Sequence, residues 1–128
     1  MCKENLDGVH NTYIILDREK PIGNFSIQMN PGHLMKKEKK TSWIGLIIGE
    51  KEYWGRGVAK IAMDYIEKKS RRLGAVRIEL GTFEFNHRAH VFYKKCGFME
   101  IGRLKRFTYW NGKYWDDIRM EKYLPSTL

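Results

Sequence analysis

A chain of 128 residues, 42% of them hydrophobic and 13% aromatic, is long enough for one compact domain with a buried core. No apolar run approaches the roughly 18 residues of a membrane-spanning helix, and the first ten residues lack the apolar centre of a signal peptide. We therefore expect a single cytoplasmic domain over residues 1–128, without a membrane partner. The net charge of +9 favours an anionic partner: nucleic acid, a membrane surface or a phosphorylated small molecule.

The cysteine count argues against a disulfide framework and against a metal site. Cys2 and Cys96 are the only cysteines, and their spacing from the four histidines matches no metal-binding pattern. We expect two reduced thiols and no bound metal.

The first third of the chain predicts three strands. "TYIILD" (12–17) and "IGNFSIQM" (22–29) are rich in β-formers and flank the turn residues "REKP", which indicates a hairpin. "NPGHLMKKEKK" (30–40) combines turn residues with a basic run and predicts an exposed, mobile loop. "TSWIGLIIG" (41–49) is almost unbroken apolar sequence, which is typical of a strand covered on both faces.

A glycine-bearing segment, "EYWGRGVAK" (52–60), leads into a predicted amphipathic helix. Its apolar residues recur at helical spacing: Val58, Ile61, Ala62, Tyr65, Ile66 and Leu73. Basic residues in the last turn and Gly74 after them predict where this helix ends.

The second half of the chain predicts a strand, a helix and a hairpin. "AVRIELGTF" (75–83) is the strand, and Asn86 is placed as the N-cap of a helix that Gly97 ends. Two long strands flank Asn111-Gly112, a strong two-residue hairpin signal. A strand, helix, strand unit flanked by hairpins predicts a mixed α/β sheet.

The glycine-bearing segment is also a candidate anion site. A loop that opens a helix exposes backbone N–H groups that the helix does not use, and this suits a pyrophosphate. Gly55 and Gly57 allow close approach of the backbone, and Arg56 adds a cation. The P-loop pattern is absent, and a dinucleotide fold needs a small residue where this chain has Lys60. An ordinary turn remains an equal alternative on spacing alone.

Three motifs resemble the GCN5-related N-acetyltransferases (GNAT). "WGRGVA" (54–59) resembles the acetyl-CoA loop Q/R-x-x-G-x-G/A, with a tryptophan in the first position. "NHRAHVFYKKCGF" (86–98) resembles N-x-x-A-x-x-x-Y-x-K-x-G-F. "WNGKYWDDIRM" (110–120) is similar to the last hairpin of the branch that contains spermidine/spermine and ribosomal-protein N-terminal acetyltransferases. The resemblance runs from about residue 41 to residue 124.

The resemblance implies a mixed, mostly antiparallel sheet in which two central parallel strands splay apart, with acetyl-CoA as co-substrate. The pantetheine arm would lie in the gap between those strands, and the pyrophosphate would lie on the loop amides. The implied cofactor-binding residues are Leu46, Ile47, Ile48, Trp54, Gly55, Arg56, Gly57, Val58, Ala59, Lys60 and Asn86.

The family's reaction is direct attack of a neutral amine on the thioester, which needs a proton acceptor and an acid for the departing thiolate. Tyr93 matches the family's tyrosine acid, although its spacing also suits a core position. Many relatives carry a glutamate in the strand before the loop, where residues 42–45 have no carboxylate. Glu79 and Glu84 are candidate bases through an ordered water, or else ordinary paired carboxylates.

The implied acceptor is a primary amine: a polyamine, another small amine or a protein N-terminus. Relatives begin with a strand and two helices that this sequence lacks, which predicts either a fragment or a short member with an open or shared acceptor groove. Aromatic residues could line that groove or a homodimer contact: Trp43, Trp110, Tyr114 and Trp115. The alternatives are a non-catalytic CoA-binding module of the same fold and, ranked last, a nucleic-acid-binding domain, for which no motif is recognised.

Overall fold

The structure is a computed structural model that describes residues 10–125. Cys2 lies outside the described residues, and Cys96 is a free, buried thiol. The strands are β1 (His10–Asp17), β2 (Lys20–Met29), β3 (Thr41–Ile48), β4 (Arg77–Phe83), β5 (Met99–Trp110) and β6 (Lys113–Tyr123). The helices are α1 (Val58–Arg72) and α2 (His87–Lys95), and a short 3₁₀ turn (Lys51–Tyr53) precedes α1. The predicted order of elements is confirmed.

The six strands form one sheet in the order β1-β2-β3-β4-β6-β5. Every neighbouring pair is antiparallel except β3 and β4, which run parallel. Only Thr41–Trp43 of β3 pair with Arg77–Glu79 of β4, and the strands part beyond these residues. The predicted mixed sheet with splayed central parallel strands is confirmed.

One face of the sheet packs on both helices and forms the hydrophobic core. The strands contribute Ile27, Ile44, Ile78, Leu80, Ile118 and Met120, and the helices contribute Ala62, Met63, Ile66 and Tyr93. Strand residues alternate between faces, so only every second residue of each strand enters this core. No helix within residues 10–125 has the length and apolar character needed to cross a membrane.

Helix α1 begins and ends near the predicted residues, but its buried face differs from the predicted stripe. Ile61 is 71% exposed and Tyr65 is 45% exposed, whereas Ser70 is fully buried. The Ser70 hydroxyl is 3.0 Å from that of buried Ser42 in β3, and this hydrogen bond allows a polar residue to occupy the core face. Gly74 has the positive φ of 94° that ends a helix, as predicted.

The two hairpin turns were predicted to different accuracy. Asn111 and Gly112 have φ of 52° and 84°, the positive values that a two-residue turn between β5 and β6 requires. The turn between β1 and β2 is tighter than the predicted "REKP", because Lys20 and Pro21 already belong to β2.

The connection between β2 and β3, residues 30–40, covers part of the second face of the sheet. The prediction of an exposed loop is wrong at Leu34, which is only 5% exposed. The N–H groups of Met35 and Lys36 donate to the carboxylate of Glu79 at 2.8 and 3.3 Å. This cover segment is therefore anchored to β4. The prediction that the strand at 41–49 is covered on both faces also fails near its end, where Ile47 is 61% exposed.

Candidate active site

The loop between β3 and α1 leaves a run of backbone donors unused. Gly55 and Gly57 adopt positive φ of 75° and 82°, a backbone conformation that residues other than glycine rarely adopt. The N–H groups of residues 55–60 make no hydrogen bond to any residue that the structure describes. The first turn of α1 also has no acidic residue. Six consecutive amides and a helix N-terminus therefore remain available to an anion.

Two arginines add positive charge at this loop. The guanidinium of Arg88, in the first turn of α2, lies 4.9 Å from the centre of the Trp54 ring. One of its nitrogens is 3.5 Å from the position that a Cβ on Gly55 would take. Neither Arg88 nor Arg56 forms an ion pair within residues 10–125, whereas Lys60 pairs with Asp64 at 2.6 Å. Arg88 was missed from sequence, although it is the basic residue at the start of the second motif.

Trp54 connects the loop to the end of β3. Its indole N–H donates to the carbonyl of Ile48 at 2.7 Å. Leu46, Ile47 and Ile48 pair with β2 on one side and lie beyond the last residue pair with β4 on the other. Because backbone groups alternate between the two sides of a strand, this stretch directs part of its N–H and C=O groups into the gap.

The two residues that were singled out from the second motif lie at the N-cap of helix α2 and within it. The side chain of Asn86 accepts a hydrogen bond from the N–H of Ala89 at 3.2 Å, as expected of an N-cap. Tyr93 is 7% exposed and packs against Phe92 and Phe98. Burial raises the pKa of Tyr93 to about 12. Its hydroxyl has no hydrogen-bond partner among the described residues, so it stays protonated at neutral pH and can donate.

Both glutamates that were considered as bases are held in hydrogen bonds. Glu79 is fully buried and accepts from four donors: the N–H groups of Met35 and Lys36 and the guanidinium groups of Arg77 and Arg119. Burial raises the pKa of Glu79, but hydrogen bonds from Met35 and Arg77 outweigh it and leave the pKa below its usual value. Glu84 accepts from the N–H of Asp116 and from Arg103. Both carboxylates therefore have structural partners within the fold.

The aromatic candidates for an amine site do not form one cluster: Tyr114 packs on Tyr109, and the three tryptophans lie in two other groups. Trp43 lies against Arg119 and His33. The guanidinium carbon of Arg119 is 4.7 Å from the centre of the Trp43 ring, and the centre of the His33 ring is 4.5 Å from it. Trp110 and Trp115 instead pack on Phe85, at 4.4 and 5.1 Å. Of the four predicted aromatic residues, Trp43 alone belongs to the strand that borders the gap.

This region combines a loop with unbonded backbone N–H groups, an opening in the sheet and a protonated tyrosine on the helix that follows. Within residues 10–125, no group of three or more His, Cys, Asp or Glu side chains has the arrangement of a metal site. A model of the acetyltransferase (GNAT) family matches residues 3–98, which include the loop, the gap and helix α2. The chain belongs to this family.

Solved structures agree with the membership in GNAT. Spermidine N-acetyltransferase from Vibrio cholerae, solved with CoA and spermine, is 26% identical and superposes with a TM-score of 0.74 over 92% of this chain and 68% of that one. A GNAT-family acetyltransferase from Streptococcus pneumoniae is 24% identical, with a TM-score of 0.75 over 90% and 67%. Ribosomal-protein-alanine N-acetyltransferase from Brucella melitensis shares 17% identity, with a TM-score of 0.74 over 90% and 69%.

At 24% and 17% identity, the structures from Streptococcus pneumoniae and Brucella melitensis show that the GNAT fold is shared and no more than that. The chain spans about two thirds of the length of each of these relatives. Among curated protein sequences, none matches the chain significantly.

Proposed function

We propose that this GNAT-family protein transfers the acetyl group of acetyl-CoA to a primary amine. The observation that carries the proposal is the run of six unbonded N–H groups at residues 55–60, beside the gap between β3 and β4. A pyrophosphate needs several donors and positive potential at one place, and this loop offers both. The gap continues from the same loop, so one extended ligand can occupy both.

The cofactor would be held along its length by different parts of the chain. The amides of Gly55, Arg56, Gly57, Val58, Ala59 and Lys60 would bind the pyrophosphate, with Arg56 and Arg88 as cations. The pantetheine arm would bind the backbone of Leu46, Ile47 and Ile48 like an added strand. Trp54 would border the arm, and the side-chain nitrogen of Asn86 is free to contact the ligand because its oxygen caps α2.

In the proposed reaction the amine attacks the thioester carbonyl directly, and Tyr93 protonates the departing thiolate. A general acid must hold its proton until the leaving group needs it, and burial keeps the Tyr93 hydroxyl protonated. Because that hydroxyl has no partner among residues 10–125, no existing hydrogen bond has to be broken first.

The acceptor class is a primary amine, as in the relatives named above, which act on spermidine and on a ribosomal-protein alanine. The net charge of +9 opposes the approach of a polycation, which favours a small monoamine or a protein N-terminus over a polyamine. We place the reaction in the cytoplasm. The exposed aromatic residues of the β5–β6 hairpin, Tyr109, Trp110 and Tyr114, would form a homodimer contact.

Thiol release from acetyl-CoA with a panel of primary amines tests the proposal. We expect turnover with at least one amine, and a loss of about 100-fold in kcat for Tyr93→Phe at unchanged CoA affinity. Phenylalanine preserves the packing of Tyr93, whose hydroxyl bonds to no described residue, so folding should be unaffected.

Arg88→Gln should weaken CoA binding severalfold, whereas Arg72→Gln at the far end of α1 should not. CoA binding without turnover for any amine would instead support the non-catalytic CoA-binding module. Absence of CoA binding would contradict both functions.

A further inference from the structure

One buried carboxylate beside the gap has no part in the site described so far. Asp117, in β6, is 6% exposed and lies on the face of the sheet opposite the helices. Its Oδ2 accepts from Nε of Arg119 at 2.8 Å, whereas its Oδ1 has no hydrogen-bond partner among the described residues. This unbonded oxygen keeps some contact with solvent, so a cationic ligand can pair with it from the solvent side.

The carboxylate of Asp117 lies directly over Gly81 of β4. A Cβ placed on Gly81 would lie 2.9 Å from both carboxylate oxygens and 3.2 Å from Cη2 of Trp43. Gly81 follows Glu79, the last residue of β4 that pairs with β3, by two positions. The carboxylate and the Trp43 ring therefore border the point at which the gap between the strands begins.

The face of β4 that carries the cover segment becomes more exposed at this point. Along that face of β4, Glu79 is fully buried, Gly81 is partly exposed and Phe83 is 42% exposed. The cover segment thus shields this face of the sheet from solvent at Glu79 but not at Gly81 and Phe83. Tyr93 belongs to the helix-side core, so Asp117 and Tyr93 lie on opposite faces of the sheet.

We infer that Asp117 binds the ammonium group of the acceptor and takes its proton before attack. The inference rests on the proposed acetyl transfer. It assigns the role of proton acceptor to a carboxylate with one unbonded oxygen, whereas both oxygens of Glu79 and of Glu84 already accept hydrogen bonds. Gly81 is needed because any side chain there would fill the space between the carboxylate and Trp43.

The protons and electron pairs balance along this route. The ammonium gives one proton to Asp117, which returns it to solvent, and the neutral nitrogen attacks the thioester carbon. The C–N bond forms and the C–S bond breaks. The second proton lost by the nitrogen replaces the one that Tyr93 gives to the thiolate, directly or through water, so that the products are the acetamide and CoA thiol.

Asp117→Asn is the central test, because asparagine keeps the shape and can still accept from Arg119. With an alkylamine that the wild type acetylates, we expect kcat/KM to fall about 100-fold at unchanged CoA affinity. Asp116→Asn is the matched control. Asp116 is the neighbouring residue in β6 and accepts from Lys105 and from the N–H of Arg106, so this variant should retain activity within about twofold.

The basicity of the acceptor separates proton removal from a structural role. An alkylammonium with a pKa of about 10 must lose a proton, whereas methoxyamine is already neutral at pH 7. The loss caused by Asp117→Asn should be about 100-fold for the alkylamine and only severalfold for methoxyamine. Equal losses for both amines would overturn the inference, and so would undiminished turnover of the alkylamine.

Gly81→Ala provides a second variant. It retains the Asp117 side chain, but the added methyl group displaces the carboxylate from its position over β4. Since φ of Gly81 is not positive, alanine is compatible with the backbone. We expect at least a tenfold loss of kcat/KM with unchanged CoA affinity, and wild-type kinetics would overturn the inference. A wild-type protein that acetylates no amine would contradict the proposed function itself, which distinguishes that failure from a failure of Asp117.

Discussion

The two faces of strands β4 and β6 differ in chemistry, yet the central residues of both are buried. The helix-side face is mainly apolar, with Ile78, Leu80, Ile118 and Met120 beside the buried hydroxyl of Thr82. The opposite face presents charged side chains: Arg77, Glu79, Arg119 and Glu121. The first face is closed by the helices and the second largely by the cover segment. Alternating polarity along a strand therefore does not show that the polar face is solvated.

The two faces also depend on different physics. Apolar packing requires matching volume, and it tolerates exchange of one aliphatic side chain for another of similar size. The charged face requires that every member keeps its partners, because an unpaired buried charge is costly. Glu79 is central to this face, since it contacts two arginines and two backbone N–H groups of the cover segment.

Replacement of Glu79 should have the largest effect on stability. Glu79→Ala leaves Arg77 and Arg119 buried without their shared carboxylate and frees the cover segment. We expect the free energy of unfolding to fall by about 3–5 kcal/mol, measured by urea denaturation. Glu84→Ala removes a partly exposed carboxylate at the end of the same strand and should cost about 1 kcal/mol. Equal costs for the two variants would contradict the special role of the charged face.

On the helix side, a pair of isoleucines in α1 tests which residues form the core. Ile66 is fully buried, whereas Ile61 is 71% exposed, although both belong to the apolar stripe predicted from sequence. Ile66→Ala should lower the free energy of unfolding by about 2–5 kcal/mol, and Ile61→Ala by less than about 0.5 kcal/mol. If both variants lost a comparable amount of stability in thermal or urea unfolding, Ile61 would belong to the core, as the sequence predicted.

A smaller effect than that of Ile66→Ala is expected at a polar contact between β3 and α1 on the helix-side face. Ser70→Ala removes the partner of the buried Ser42 hydroxyl and should cost about 1–2 kcal/mol. The double variant with Ser42→Ala should cost less than the sum of the two single changes, because both polar groups are then removed together. Strict additivity in urea denaturation would show that the two hydroxyls do not interact.

Sequence patterns predicted the fold well because turn chemistry and periodicity are local. Asn111-Gly112, Gly74 and Asn86 each act through backbone conformation or a neighbouring N–H, and each was located correctly. The errors arise where a distant residue decides the outcome. The cover segment is held on the sheet by Glu79, which is 44 residues from Met35 in the sequence. No local pattern predicts such a distant contact.

The candidate site shows the same division. The loop amides at 55–60 follow from glycine spacing and the start of a helix, and the GNAT motifs supplied their ligand as an expectation. Arg88 reaches Gly55 only because α2 begins beside the loop. Asp117 lies over Gly81 through the register between β4 and β6, and a register shift of one residue would place Asp116 there instead. Such placements require the sheet.

The anchor of the cover segment has a consequence for the order of folding. Met35 and Lys36 precede Glu79 by 44 and 43 residues, so a ribosome releases the segment well before its anchor. The β1–β2 hairpin can form early from local contacts, but residues 30–40 cannot settle until β4 has docked beside β3. The segment that closes this face can therefore be anchored only after residue 79 has been synthesised and β4 lies in the sheet.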